Sequence, residues 1–185
     1  MSDRSNKIDR NEIREIFQPS KVVLGIIPAP LQSGYNILPL CFHTWCSYSP
    51  LMYLVAIEKS NFSSTLFEKT NEFTLAIVGE SMVEEVVFCG SRSGRDCDKA
   101  KECGIKWTKS FSIKVPGVET AIANIELVIR NRIATGDHTL IIGEVLSMYS
   151  AKGKDERPLL AVGPNSTGYE VLAVEGIHTL AVVPR

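Results

Sequence analysis

Two long β runs constrain the fold of this chain more than any other feature. Residues 120–133 and 138–150 are rich in aliphatic and β-branched side chains, and the polar segment Thr135–Asp137 separates them. A short connection that contains glycine, placed between two such runs, is typical of a β-hairpin. The sequence therefore predicts a long antiparallel hairpin in the second half of the chain.

The two faces of this predicted hairpin differ in polarity. Successive residues of a strand point to opposite faces, so Ile125 and Leu127 share one face while Asn124 and Glu126 share the other. We expect the apolar face to pack on the core and the second face to be more solvated.

Further short apolar runs, bounded by Gly, Pro or Asn, flank the hairpin. They cover residues 21–27, 35–42, 51–57, 73–78, 159–162, 169–174 and 178–183. Short runs of this kind are typical of strands. The chain is predicted to be mainly β with a few short helices, arranged as a barrel rather than as an open α/β sheet.

Three short helices are predicted between the strands. Their starts are placed at Asn61, Ser81 and Asp96, and their ends near Thr70, Gly90 and Gly104. Asn61 and Asp96 are predicted N-caps, and Ser81 with Glu84 has the spacing of a capping box. Gly90 is predicted to stop the second helix.

Composition limits the classes of function. The chain has 185 residues, 44% of them hydrophobic, and a formal net charge of −1. This predicts a lead-in at residues 1–18 and one domain at 19–185, with neither nucleic acid nor a membrane as partner. Without an apolar signal segment or a run of about 20 apolar residues, the expected compartment is the cytoplasm. Five cysteines, an odd number, predict reduced thiols, and their spacing predicts no metal site.

The segment Gly90–Lys99 has the composition of an anion site. It combines two glycines, two serines and two arginines before a predicted helix. Glycine lets the backbone approach a ligand closely, and hydroxyl and guanidinium groups hydrogen-bond phosphate or carboxylate. Read alone, the segment predicts an anionic ligand.

Four segments together resemble the flavin reductase-like family of FMN-binding split barrels, which includes flavoredoxin. They are Tyr35–Leu40, Ser49–Thr65, Phe88–Ala100 and Gly136–Val145. The third is close to the family pattern SGRDxDKF and the fourth to GDHxxxxGxV. The resemblance covers residues of about 20 to 150 and rests on finding both patterns in order.

The resemblance implies a split β-barrel homodimer that binds FMN rather than FAD. It implies an oxidoreductase that accepts hydride from NADH or NADPH onto the flavin and passes electrons to an acceptor, either a protein or a small molecule. Two alternatives remain: a non-catalytic flavin-binding or electron-carrier protein, and a divergent split barrel that has lost flavin.

The resemblance also assigns candidate cofactor-binding residues in three groups. Asn36, Ile37, Leu38, Pro39, Leu40 and Cys41 would lie along the isoalloxazine ring; Ile57, Glu58, Lys59, Ser60, Asn61, Ser63 and Ser64 would hold the phosphate; and Ser91, Ser93, Gly94, Arg95 and Lys99 would cover the flavin. His138 is a candidate for contacting the nicotinamide or the flavin and for moving a proton.

Each group also has a purely structural interpretation. The residues predicted to hold the phosphate could be an ordinary capped helix, and Arg95 could pair with Asp96 or Asp98 at the surface. Pro39 stands where the family commonly has threonine, and proline has no amide hydrogen to donate. Flavin binding at Pro39 is therefore expected to differ from that of the family.

Overall fold

The computed structural model describes residues 17–30, 33–163, 168–175 and 178–185. The predicted helical turns at residues 11–16 and most of the predicted lead-in lie outside them. The strands are β1 Ser20–Lys21, β2 Val23–Ala29, β3 Gly34–Leu40, β4 His43–Tyr48, β5 Leu51–Glu58, β6 Glu72–Ile77, β7 Trp107–Thr108, β8 Gly117–Val118, β9 Ala123–Ala134, β10 His138–Ser150, β11 Leu160–Val162, β12 Glu170–Glu175 and β13 His178–Val182. The α-helices are α1 Phe62–Phe67, α2 Val83–Ser91 and α3 Lys99–Glu102.

A seven-stranded sheet dominates the described part of the chain. Its strand order is β3-β2-β6-β9-β10-β5-β4, so the predicted hairpin β9–β10 lies inside the sheet, while β3 and β4 are its outer strands. A second sheet has the order β1-β11-β13-β12, and β7 pairs with β8. The prediction of a mainly β protein with a few short helices and flavin reductase-like architecture is confirmed.

Both faces of the large sheet are covered. On one side, Leu24 and Ile26 of β2 belong to a cluster with Val86 of α2. On the other, Val23 and Ile27 join a cluster with Phe73. A strand buried on both faces needs a continuous apolar run rather than alternation, and the sequence of β2 provides one.

The prediction of a solvated face on β9 is wrong. Asn124 and Glu126 are fully buried. The Asn124 side chain accepts from the amide of Val118 at 2.8 Å and donates to its carbonyl at 3.1 Å. The Glu126 carboxylate accepts from the amides of Phe111 at 2.7 Å and Ser112 at 2.6 Å. These polar side chains satisfy backbone groups of β8 and of the loop before it that would otherwise be buried without partners.

The predicted capping box at Ser81 is also wrong. Ser81 lies in a 3₁₀ turn, Glu80–Met82, and α2 begins after it with no side-chain cap. Its hydroxyl donates to the Glu156 carboxylate at 2.7 Å, and its amide donates to the same carboxylate at 3.0 Å. The carboxylate of Glu156, 75 residues away in the chain, takes the place of the Glu84 carboxylate in the predicted box. Helix-start patterns in the sequence do not reveal a partner so distant.

The other helix ends agree only in part with the predictions. Asn61 is the N-cap of α1 by position, but its side chain makes no capping hydrogen bond, and the helix ends at Phe67 rather than Thr70. Asp98, not Asp96, caps α3 by accepting from the amide of Lys101. Gly90 lies inside α2 rather than after it.

The predicted end of the third helix is confirmed. Its last residue is Glu102, and Gly104 follows with φ of +67°, a conformation that glycine adopts without a steric penalty. Strand β4, in contrast, was not predicted, although its β-branched and aromatic residues between Phe42 and Pro50 favour a strand.

Candidate functional site

The buried lysine Lys99 joins two of the four motif segments. Its ammonium donates to the carbonyl of Ile37 on β3 at 3.0 Å and to that of Cys89 on α2 at 2.6 Å. The residue is only 4% exposed, and this burial lowers the pKa of the ammonium from its usual value. The predicted covering loop is therefore tied at its base to the strand predicted to carry the ring.

This contact also fixes which backbone groups face the open edge of the sheet. The Ile37 carbonyl bonds Lys99, so it points away from β2, and groups of alternate residues of a strand point the same way. The backbone nitrogen of Pro39 therefore also faces away from β2, toward the outer edge of the sheet. Proline has no amide hydrogen to donate there. The substitution noted in the sequence removes a donor where the resemblance places the ring.

A second contact joins β3 to the start of α1. The amide of the buried Asn36 donates to the Ser63 hydroxyl at 2.9 Å. Its oxygen is also buried and has no hydrogen-bond partner among the described residues. Ser63 is itself 6% exposed, so its hydroxyl belongs to this internal contact.

The turn after β5 meets the hairpin turn that carries His138. The Lys59 ammonium donates to the carbonyls of Thr135 and Gly136, the latter at 2.7 Å. The Lys59 amide donates to the Asp137 carbonyl at 2.9 Å. Because all three carbonyls belong to the hairpin turn, Lys59 holds the predicted phosphate segment against that turn.

Arg95 connects the covering loop to the same region. Its guanidinium lies 5.6 Å from the centre of the Phe62 ring at the start of α1, within range of a cation–π contact. Among the described residues, no ion pair joins Arg95 to Asp96 or Asp98, the alternative partners. The Asp98 carboxylate instead accepts from the amide and hydroxyl of Ser33, each at 2.8 Å.

His138 is half-buried at the beginning of β10. Its Nδ1 lies 2.7 Å from the Asp137 carboxylate, and its ring centre lies 5.5 Å from that of Phe42. Asp137 thus orients the imidazole. Phe42, which follows β3, brings the first motif segment to the fourth.

The two glycines of the fourth segment play different structural roles. A Cβ at Gly143 would come within 2.9 Å of Leu127 and 3.1 Å of Phe73, which leaves no room for a side chain. A Cβ at Gly136 would meet nothing within 4 Å. Gly143 therefore serves core packing, whereas Gly136 lies in open space beside the site.

The predicted residues divide into an exposed, a half-buried and a buried set. The exposed ones are Glu58, Lys59, Ser60, Asn61, Ser91, Ser93 and Arg95; Pro39, Cys41 and His138 are half-buried; and Asn36, Ile37, Leu38, Leu40, Ile57, Ser63, Ser64, Gly94 and Lys99 are buried. The exposed set can contact a ligand directly. The buried set fixes the positions of the segments that carry it.

A concave surface lies beside the covering loop. It encloses about 410 Å³ and is lined by Ser91 and Ser93 together with Arg92, Asp96 and Glu102. Both signs of charge are present, so this surface does not by itself favour an anion.

Several contacting residues were not singled out from the sequence. Ser33, Phe42, Phe62, Asp98 and Thr135 join the motif segments to one another. Asp98 falls inside the SGRDxDKF pattern, so it carried a usable signal. Thr135 acts through its backbone carbonyl, which residue type does not reveal, and Ser33 lies outside all four motif segments.

Neither a candidate metal cluster nor a helix suited to span a membrane is found among the described residues. No cluster of three or more His, Cys, Asp or Glu side chains there could hold a metal ion. Within that same part of the chain, no helix is both long and apolar enough to cross a membrane.

Sequence relatives of this chain are found in archaea. An uncharacterized protein of Archaeoglobus fulgidus is 31% identical over 156 residues, which are 84% of this chain and 85% of that protein. An uncharacterized protein of Pyrococcus abyssi is 34% identical over 112 residues, which are 60% of this chain. The match spans 64% of the length of the Pyrococcus protein, less than two thirds.

Solved structures of flavoproteins share the fold. Flavoredoxin from Methanosarcina acetivorans superposes with a TM-score of 0.79 at 19% identity, over 98% of this chain and 92% of that one. An FMN-binding protein from Thermus thermophilus gives 0.74 at 22% identity, over 100% and 98%. An NADH:FAD oxidoreductase from Streptomyces globisporus gives 0.71 at 18% identity, over 86% and 93%.

The family model for the flavin reductase like domain matches residues 19–167, which include all four motif segments. Together with the Archaeoglobus relative and the shared fold, this match shows that the chain belongs to the flavin reductase-like domain family.

Proposed function

We propose that this protein binds FMN and reduces it with NADH or NADPH, then passes the electrons to a further acceptor. The observation that carries the proposal is the convergence of the four motif segments. Lys99 joins the third segment to the first, Lys59 joins the second to the fourth, and Arg95 joins the third to the second. Segments up to a hundred residues apart in the chain thus meet in one region.

The residues of this region fit the chemistry of a flavin. The polar edge of an isoalloxazine presents both a donor and acceptors, and backbone groups at the outer edge of β3 are of the complementary kinds. The phosphate is dianionic, and Lys59 and Ser60 lie exposed in the turn after β5. The resemblance of the sequence motifs favours FMN over FAD.

The chain would supply orientation rather than acid–base chemistry. A bound flavin supplies the hydride-accepting chemistry itself, so the protein needs to hold it with one face accessible to a nicotinamide. His138, oriented by Asp137 at the rim of the region, is the candidate for contacting the nicotinamide or holding a proton.

We also propose a homodimer located in the cytoplasm. Phe42, Trp45 and Tyr48 on or beside the outer strand β4 expose large aromatic surfaces, and Met148 on β10 is also exposed. Exposed apolar surface of this extent favours a protein contact. Sedimentation of the purified chain tests the dimer directly.

The visible spectrum of the protein tests flavin binding first. We expect flavin absorption bands in the purified protein or after addition of FMN. A colourless protein that takes up no added FMN would favour the divergent barrel that has lost flavin. Anaerobic addition of NADH or NADPH should then bleach the bands, whereas bands that persist would favour the electron carrier.

Substitution in the turn after β5 tests the phosphate position. Lys59→Met should weaken FMN binding about tenfold, equivalent to about 1.4 kcal/mol, and leave riboflavin binding unchanged, since riboflavin lacks the phosphate. Lys69→Met, which removes an exposed lysine beyond α1, is the matched control. Equal weakening of FMN and riboflavin would contradict this placement and indicate that Lys59 acts only by holding the hairpin turn.

A further inference from the structure

We propose that Cys89 and Cys103 form a dithiol that hydrogen peroxide oxidises to a disulfide, which restrains the loop between α2 and α3. The two sulfur atoms lie 3.9 Å apart. Cys89 is on α2, and Cys103 is the C-cap of α3, so the pair encloses the segment that carries the SGRDxDKF pattern.

The surroundings of the pair keep the two sulfurs together. The Lys99 ammonium donates to the Cys89 carbonyl at 2.6 Å, and the Lys99 carbonyl accepts from the Cys103 amide at 3.0 Å. A disulfide has a sulfur–sulfur distance of about 2.05 Å, so the sulfurs must approach by about 1.9 Å. Because Lys99 already links both residues, this approach requires side-chain rotation more than movement of the helices.

The two thiols differ in accessibility, which sets the order of the chemistry. Cys103 is half-buried and can be reached by a small peroxide, while Cys89 is 1% exposed. Hydrogen peroxide oxidises the Cys103 thiol to a sulfenic acid and releases one water. The Cys89 sulfur then attacks the Cys103 sulfur and expels the second water. The two thiols lose two electrons and two protons in total, and the peroxide oxygen–oxygen bond is reduced.

Burial makes the two thiols slow to oxidise. Desolvation raises the pKa of both the Cys89 and the Cys103 thiols, so that both are protonated near neutral pH. Protonated thiols react slowly, because the thiolate is the nucleophile. We therefore expect the pair to persist as thiols under reducing conditions and to respond to a sustained peroxide supply.

The expected consequence is a stiffer loop. A cross-link between the end of α2 and the end of α3 removes conformations from residues 90–102 in the unfolded chain and restricts local opening in the folded one. For a closed loop of this length in a chain of this size, the melting temperature should rise by about 5–10 °C.

The test uses the full-length wild-type protein, first reduced and then exposed to hydrogen peroxide under native conditions. After blocking of the remaining thiols and digestion, we expect a Cys89–Cys103 linked peptide that is lighter than the two separate peptides by two hydrogens. Recovery of both cysteines as blocked thiols, or of a link to Cys97 instead, would overturn the assignment.

A second measurement tests the effect on the loop. Amide hydrogen exchange at residues 92–98 should slow in the oxidised protein and recover after reduction. Cys103→Ser should lose both the link and the slowing, whereas Cys46→Ser, at an exposed cysteine on β4, should keep both. A linked protein with unchanged exchange at these residues would overturn the proposed restraint. None of these readouts requires bound flavin, so they are independent of the proposed function.

Discussion

Lys99 and Glu126 are charged side chains of opposite sign, buried in two different regions and bonded to backbone groups. Lys99 donates to carbonyls of β3 and α2, and Glu126 accepts from two consecutive amides of the loop after β7. Glu126 binds a single loop to the sheet, so its role is local. Lys99 bridges two separate elements, so it couples the candidate site to the edge of the sheet.

In both regions, hydrogen bonds to the backbone stabilise a buried charged side chain. Burial of an ion is costly unless hydrogen bonds replace its hydration. In both regions loop or edge backbone groups supply these bonds, and the same contact satisfies backbone groups that would otherwise lack partners.

Glu126→Leu should have the largest effect on stability. The change leaves the amides of Phe111 and Ser112 without an acceptor, and we expect a loss of about 3–4 kcal/mol in the free energy of unfolding. Denaturant unfolding measures it. The control is Glu144→Gln, which removes an ion pair with Arg130 at the surface and should cost under about 1 kcal/mol. Equal losses for the two variants would show that water satisfies the loop amides.

Lys99→Met should have a smaller effect, about 2 kcal/mol, since carbonyls tolerate the loss of a partner better than amides do. The same variant should also speed amide exchange at residues 92–98, because the tie to Ile37 is lost. Lys101→Met, at an exposed position of the same helix, is the control. Normal loop exchange in Lys99→Met would show that Lys99 supports its surroundings only locally, as Glu126 does.

The smallest expected effect is a change in the pH dependence of stability, which tests the burial of Lys99 directly. Burial lowers the pKa of Lys99 below its ordinary 10.5, so between the folded and unfolded pKa values the unfolded chain binds more protons. Stability from this group therefore rises with pH. We expect the stability difference between wild type and Lys99→Met to grow in favour of wild type as the pH rises toward the ordinary lysine pKa of 10.5. A constant difference would show that the ammonium is as well solvated as in the unfolded chain.

The sequence predicted most of the strands because their apolar runs are local signals. It also predicted that the four motif segments act together, since their order matched a family. It did not predict that Asn124 and Glu126 are buried, because alternation reports polarity and not the loop that covers a face. The capping error at Ser81 has the same origin, as the Glu156 carboxylate lies far away in the chain.

For the candidate site, the sequence predicts which residues to consider but not which of them are exposed and which are buried. The resemblance assigns Lys99 and Ser63 to the cofactor, and the structure places both in internal contacts. Pro39 was noted as a missing donor, but only the outward direction of the Ile37 carbonyl shows that the donor is missing at the open edge.

The open space around Gly136 makes this position suitable for attaching a reporter. A cysteine placed there and labelled with a fluorophore would lie in the turn that Lys59 and His138 share, without displacing a neighbouring atom. Quenching of that fluorophore by an added flavin would show that the flavin binds close to the turn. This holds even for a flavin that is released too quickly to colour the purified protein.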